Sequence, residues 1–267
     1  MEILLTPMAE HLGLEAQSFL PHPERGKRVF PDGETFTRLP ETDDKKVLLV
    51  HSGQPEPDRG LSYLRTALRI LKDQGKKVSV LFTYFPYSLQ DREFFPGTAN
   101  IARELLKEMK EYYGVEKIAA IDPHFGGRDW IPDYFRSVSV MDDMLDGYNS
   151  VILAPDEGGG RRFGADFFEK RRTEEGIELK GSFDVSGKDV MVVDDLVESG
   201  TTLLKSYDRL KQMGAEEVSC CVVHGVREEG LERIQPVFRK VRLSNSIQNT
   251  FSSFPVEQYI RSFAERI

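Results

Sequence analysis

The chain has 267 residues, room for two domains of ordinary size or one large α/β unit. At 39% hydrophobic and 30% charged, with a formal charge of −8, it suits a globular small-molecule protein and argues against nucleic acid as the main partner. No apolar run approaches the roughly 18 residues of a membrane-spanning helix, and the first residues lack the basic region of a signal peptide, so no membrane partner and a cytoplasmic location are expected.

Short β-rich runs alternate with stretches of helical period. Strands are expected at residues 3–5, 47–50, 78–82, 118–121, 151–154, 190–193 and 218–223. Several are almost wholly apolar, as parallel strands covered on both faces must be. Helical faces fall between them: Leu61, Leu64, Leu68 and Leu71; then Ile101, Leu105, Met109 and Tyr112; then Leu203, Tyr207 and Leu210; and last residues 256–267. Gly75, Gly114 and Gly214 stand where helices should stop before the next strand. Repeated strand–helix–strand units imply right-handed crossovers and mainly parallel sheets, an α/β class. The acidic stretch at residues 141–149 divides the chain into domains 1–140 and 141–267, with the last helix a candidate to pack back on the first. Cys220 and Cys221 are adjacent in a strand, so they should point to opposite faces and not pair. The five histidines show no zinc-ligand spacing.

The strongest chemical signal lies at residues 190–203, where an apolar strand runs into Asp194 and Asp195, then Leu196-Val197-Glu198-Ser199-Gly200-Thr201-Thr202, then a helix. Gly200 lets backbone approach a ligand closely. Ser199, Thr201 and Thr202 can offer hydroxyl and N–H donors to a phosphate at the helix N-terminus. The two carboxylates, at the carboxyl end of a strand, can accept from sugar hydroxyls. Taken alone, the same residues also fit an acidic strand end followed by an ordinary helix cap.

These residues resemble the phosphoribosyl-binding motif of type I phosphoribosyltransferases and of ribose-phosphate pyrophosphokinases (PRPP synthetases), with Glu198 where the synthetases carry Asp. Further segments resemble the synthetases and have no transferase counterpart. Val29-Phe30-Pro31-Asp32-Gly33-Glu34 is similar to the segment that reaches into a neighbouring subunit and receives the adenine of ATP, which assigns Phe30, Asp32 and Glu34 to ATP. Tyr84-Phe85-Pro86-Tyr87-Ser88-Leu89-Gln90-Asp91-Arg92 is similar to the ATP-binding Arg-Gln-Asp-Arg segment. Gln90, Asp91 and Arg92 match, and Leu89 replaces the first arginine with its fork of donors. Asp122-Pro123-His124 and Ala154-Pro155-Asp156-Glu157-Gly158-Gly159 imply His124 and Asp156 as ligands of magnesium on the ATP phosphates, the glycines forming a loop that meets the pyrophosphate.

Glu169-Lys170-Arg171-Arg172 resembles the start of the family's flexible catalytic loop, giving Lys170 and Arg172, with Arg92, catalytic roles. The short spacing from Asp156 to Lys170 leaves about two helical turns, around residues 161–168. A register with a strand at 177–179 would make Lys180 the loop lysine instead. The likeness extends from about Val29 to the C-terminus and is greatest to compact archaeal members. It implies two tandem phosphoribosyltransferase-type domains with the active site between them. It also implies Mg2+, ATP and ribose 5-phosphate as partners, a homo-oligomer, and diphosphoryl transfer giving AMP and PRPP. A PRPP-using transferase and a non-catalytic regulatory homologue stay open as alternatives.

Overall fold

The structure, a computed structural model, describes residues 1–173 and 176–267, and of residues 170–178 not the side chains. The chain divides into two compact units: residues 1–138 with 246–248 and 256–267, and residues 139–245 with 249–255.

In the first unit, β1 (Glu2–Leu5), β2 (Gln17–Ser18), β3 (Lys46–Ser52), β4 (Lys77–Tyr84), β5 (Ile118–Ile121) and β6 (Phe135–Val138) form a six-stranded sheet in the order β2-β1-β3-β4-β5-β6. All neighbouring strands are parallel. Residues 47–52 of β3 and 78–84 of β4 are buried at every position, so an apolar run without alternation is what each strand requires. Between β3 and β4, α1 (Pro57–Asp73) buries Leu61, Leu64, Leu68 and Leu71 on one face, as their spacing predicts.

The helix α2 (Ile101–Lys107) buries Leu105 and continues into a π-helical turn, Glu108–Tyr112. There the expected face breaks. Met109 is buried, but Tyr112 is 60% exposed, because hydrogen bonds to i+5 no longer advance the chain at the α period. The C-terminal helix, Glu257–Glu265, belongs to this unit.

The second unit begins with α3 (Met141–Leu145), within the stretch read from sequence as a divide. Its strands are β7 (Val151–Ala154), β8 (Asp166–Phe167), β9 (Glu169–Thr173), β10 (Gly176–Lys180), β11 (Val190–Val197), β12 (Val218–Gly225) and β13 (Val241–Leu243). Five form a parallel sheet in the order β13-β12-β11-β7-β8, while β9 and β10 pair as a separate antiparallel hairpin. The helices are α4 (Glu157–Phe163), α5 (Thr201–Gln212) and α6 (Glu228–Ile234), with α7 being the C-terminal helix of the first unit. Leu203 and Leu210 of α5 enter the core with β11 and β12.

Three expectations are corrected here. The helix expected at 161–168 starts earlier, at Glu157, because Asp156 caps it by accepting from Gly159 N–H at 2.9 Å. It ends at Gly164, which takes φ 62, and β8 follows. The glycines after Asp156 are therefore helical, not a loop. A Cβ on Gly160 would stand 2.4 Å from Phe167 Cδ1, so glycine there permits close packing of α4 on β8. Residues 169–173, which carry the basic run, form β9. The strand expected to end at residue 193 runs on to Val197, because Asp194, Leu196 and Val197 pair with Val222, His224 and Gly225 of β12.

Gly75, Gly114 and Gly214 all take left-handed φ at the ends of their helical segments, as expected. Cys220 packs into the core, Cys221 Sγ lies 3.9 Å from Met144 O, and neither is in a disulfide. Among the described residues no helix is long and apolar enough to cross a membrane.

Candidate sugar-phosphate site and nucleotide segments

β11 delivers Asp194 and Asp195 at its carboxyl end, and the chain then turns through Glu198, Ser199 and Gly200 into α5. Gly200 is the N-cap of α5 in the left-handed conformation, φ 71, and has no side chain of its own to cap the helix, while Thr201 N–H makes a long bond of 3.4 Å to Ser199 Oγ. The first-turn N–H groups lie at the positive end of a twelve-residue helix, where an anion is favoured. Ser199 Oγ lies 3.0 Å from Thr201 Oγ1, so the hydroxyls cluster at this end.

The loop is held from behind by α6. A Cβ on Gly230 would stand 1.8 Å from Glu198 O, and one on Gly200 would stand 2.8 Å from Ile234 Cγ2 and 3.0 Å from Gly230 O. Two backbones thus touch where no side chain fits. Arg233 adds a hydrogen bond from Nη1 to the Ser199 carbonyl. A carbonyl turned toward Arg233 turns the N–H of the same peptide, on Gly200, to the opposite side, as a planar trans peptide requires.

The carboxylates are not alone. Arg162 of α4 places Nη2 2.5 Å from Asp195 Oδ1 and 3.9 Å from Asp194 Oδ1. Asp194 Oδ1 also accepts from Asp195 N–H at 2.9 Å. Both Asp156 Oδ1 and Asp194 Oδ1 would lie 3.7 Å from a Cβ on Gly159, so two carboxylates meet at the start of α4. Burial pushes the Asp194 carboxyl well above its usual range, the neighbouring charges of Asp195 and Asp156 push the same way, and Arg162 opposes them. Asp194 keeps 13% of its side chain exposed and Asp195 only 2%, so Asp194 is the more open to a ligand.

In the first unit, residues 29–35 form a tight hairpin closed by a Val29–Thr35 bridge, with Phe30 N–H bonded to Glu34 O at 2.8 Å. The Phe30 ring packs edge-on against Phe36 at 5.7 Å and His22 at 6.0 Å, while Asp32 and Glu34 are exposed. The segment after β4 is stitched to the end of β5. Ser88, which is buried, accepts the backbone N–H of His124 at 3.0 Å, tying Asp122-Pro123-His124 to the segment of Gln90 and Arg92. Gln90 and Arg92 are exposed, Arg92 lying 4.9 Å from the Phe94 ring centre. Asp91 is buried and holds Arg128 Nε at 2.7 Å, while its carbonyl accepts from Asn100 Nδ2 and Trp130 Nε1. Its side chain organises the segment.

Lys170 and Arg172 fall on β9, opposite Leu179 and Ile177 of β10, but their side chains lie outside the described residues. Lys180 ends β10. Arg162, Gly230 and Arg233 were not singled out from sequence. Arg162 stands beside a second arginine on a short helix and Gly230 in a charged one, so nothing local marks them. Among the described residues, no group of three or more His, Cys, Asp or Glu is arranged to hold a metal ion.

A parallel α/β sheet with a glycine-capped helix after paired strand-end carboxylates defines a phosphoribosyl-binding class of protein. Comparison agrees: the phosphoribosyl transferase domain family matches residues 161–258. The ribose-phosphate pyrophosphokinase of Methanothermobacter thermautotrophicus is 30% identical over 228 residues, covering 76% of each chain. That of Pyrococcus furiosus is 28% identical over 269 residues, covering 93% of this chain and 95% of the relative. The fold matches the phosphoribosylpyrophosphate synthetase of Mycobacterium smegmatis with a TM-score of 0.72 over 100% of both chains, at 19% identity. The chain belongs to the ribose-phosphate pyrophosphokinase family.

Proposed function

We propose that the protein is a ribose-phosphate diphosphokinase, transferring diphosphate from ATP to the anomeric hydroxyl of ribose 5-phosphate to give PRPP and AMP. The single observation that carries this reading is the glycine-capped N-terminus of α5 at Gly200 beside Asp194 and Asp195. It stands in a chain of this family similar to its relatives over nearly its whole length. Neither a regulatory homologue nor a PRPP-using transferase is favoured by these likenesses.

The 5-phosphate would take the N–H groups of the first turn of α5 with the hydroxyls of Ser199, Thr201 and Thr202, while Asp194 and Asp195 accept from the ribose 2- and 3-hydroxyls. Glu198 keeps a carboxylate in the loop. In the reaction the anomeric oxygen forms a bond to the β-phosphorus of ATP, the α–β anhydride bond breaks, and AMP leaves; the anomeric hydroxyl loses its proton. Such transfer depends on positioning and charge neutralisation. Phe30, Asp32, Glu34, Gln90 and Arg92 would hold the nucleotide, with Asp91 fixing their segment through Arg128. Lys170, Arg172 and Arg92 would offset charge on the migrating group.

Magnesium fits the donors present. Burial, and after it the charges of Asp195 and Asp156, raise the Asp194 carboxyl, and a divalent cation would offset the charge part of that shift. A magnesium ion that keeps much of its water and rests chiefly on phosphates would need only one or two protein ligands, a role the resemblance gives to Asp156 and His124. It would neutralise phosphate charge. We further read the chain as cytoplasmic and homo-oligomeric, the Phe30–Glu34 hairpin serving a neighbouring subunit's nucleotide.

Incubation with Mg2+, ATP and ribose 5-phosphate should yield AMP and PRPP in equal amounts. AMP release that does not depend on ribose 5-phosphate would overturn the assignment.

A further inference from the structure

Residues 92–99 form a loop of the first unit that is pinned at both ends. At its base Asn100 Nδ2 donates to Asp91 O at 2.8 Å, and Asp91 is fixed from behind by Arg128 and Trp130. Within the loop Thr98 Oγ1 accepts from the backbone N–H of Phe94 at 3.0 Å and of Phe95 at 3.1 Å, and donates to Phe95 O at 2.7 Å. Gly97 takes φ 88, the left-handed turn that lets Thr98 fold back to those two residues. These bonds fix the backbone of Phe94, yet its side chain stays out of the core, with 44% of the residue exposed. The ring lies instead under the Arg92 guanidinium, whose Cζ is 4.9 Å from the ring centre, within the range of a cation–π contact. Among the described residues no carboxylate forms an ion pair with Arg92. A carboxylate would hold the arginine by occupying its N–H donors, which lie in the guanidinium plane. A ring holds it by the face and leaves those donors open. The long side chain loses rotamer freedom before any ligand arrives, and its fork remains available to phosphate oxygens.

We propose that Phe94 is a positioning residue for the nucleotide: its ring holds Arg92 with the N–H donors free for the phosphates of ATP, and Thr98 holds the ring in place. The inference rests on the reading of Arg92 as a nucleotide-binding residue and adds what sets its geometry. Phe95, the more exposed neighbour at 73%, has no part in it.

The test uses the full chain, titrated calorimetrically with a non-hydrolysable ATP analogue and Mg2+, and separately with ribose 5-phosphate. Phe94→Leu keeps an apolar side chain but removes the ring face, and should weaken analogue binding about two- to fivefold. Phe94→Tyr should restore it, and Thr98→Val should mimic the loss where Thr98→Ser does not. Phe95→Ala, which keeps the backbone bonds to Thr98, should bind as the wild type does. Affinity for ribose 5-phosphate should stay unchanged throughout. In an Arg92→Ala background the Phe94→Leu effect should vanish, because the ring acts only through the guanidinium. An undiminished loss in that background would mean that the ring meets the nucleotide itself, and equal binding by Phe94→Leu and wild type would mean that Arg92 needs no support; either overturns the proposal. An equal loss in Phe95→Ala overturns it too, as a general disturbance of the loop. Wild-type affinity in Arg92→Ala, or no analogue binding by the wild type, would sink the nucleotide reading along with the proposal, so the two failures are told apart.

Discussion

Arg162 on α4 and Asp195 on β11 form a buried ion pair, Nη2 to Oδ1 at 2.5 Å, with 12% and 2% of their side chains exposed. The pair sits at the strand end where sugar hydroxyls would bind, so a helix outside the loop sets the position of a loop carboxylate. Removing one partner of a buried pair strands the other. Arg162→Gln should lower stability by about 3 kcal/mol and weaken ribose 5-phosphate binding, read by chemical denaturation and calorimetry. Stability within 0.5 kcal/mol of wild type, taken as roughly the noise of an ordinary surface change, would show that the pair carries little. For the same reason Asp195→Asn, which keeps an acceptor for Arg162, is a better probe of sugar binding than Asp195→Ala.

Asp194 gives a pH-dependent signature. Its carboxyl, ordinarily near 3.8, is raised in the folded protein by burial and by Asp195 and Asp156. A carboxyl with a raised folded pKa contributes stability that is complete below the unfolded value and is lost as pH rises through the folded one. Without divalent cation, Asp194→Asn should therefore raise the thermal midpoint at neutral pH, and the gain should vanish below about pH 4. The same variant should lose ribose 5-phosphate affinity. Scans of Tm against pH for both proteins decide it.

His51 predicts the opposite dependence. It is fully buried, its Nδ1 lies 2.9 Å from Thr6 Oγ1, and burial lowers its pKa from 6.5 to about 3. A depressed histidine contributes stability present above its unfolded value and lost as pH falls from 6.5 toward 3. One such group gives a slope of up to about 1.4 kcal/mol per pH unit. His51→Leu should remove that part of the acid loss, visible as a flatter denaturation free energy between pH 6 and pH 4, taken as roughly the middle of the window.

Gly230→Ala tests the support behind the loop. Its Cβ would enter the Glu198 carbonyl at 1.8 Å, so either α6 or the loop must move. Overpacking of this kind costs about 1–3 kcal/mol. Binding of ribose 5-phosphate should weaken at least about tenfold. Calorimetry showing wild-type affinity would mean that the loop does not depend on α6.

Several features were legible from sequence because their physics is local. Strands buried on both faces, such as 47–50 and 190–193, need apolar residues at every position, and the four leucines of α1 fall at the helical period. The loop from Asp194 to Thr202 carries its acids, hydroxyls and glycine consecutively, so its chemistry survives without knowledge of the fold. Tertiary structure decided what surrounds it. Arg162 reaches Asp195 across 33 residues, and Gly230 meets Glu198 because α6 packs on the loop. Residues 194–197 stayed in a strand because β12 offered partners, and Tyr112 turned outward at a π-helical turn. Asp156 ended in a helix cap rather than a glycine loop, since Gly160 must pass close to Phe167. A sequence read locally encodes period and motif; contacts between residues far apart along the chain have no period and exist only once the sheet has brought their elements together.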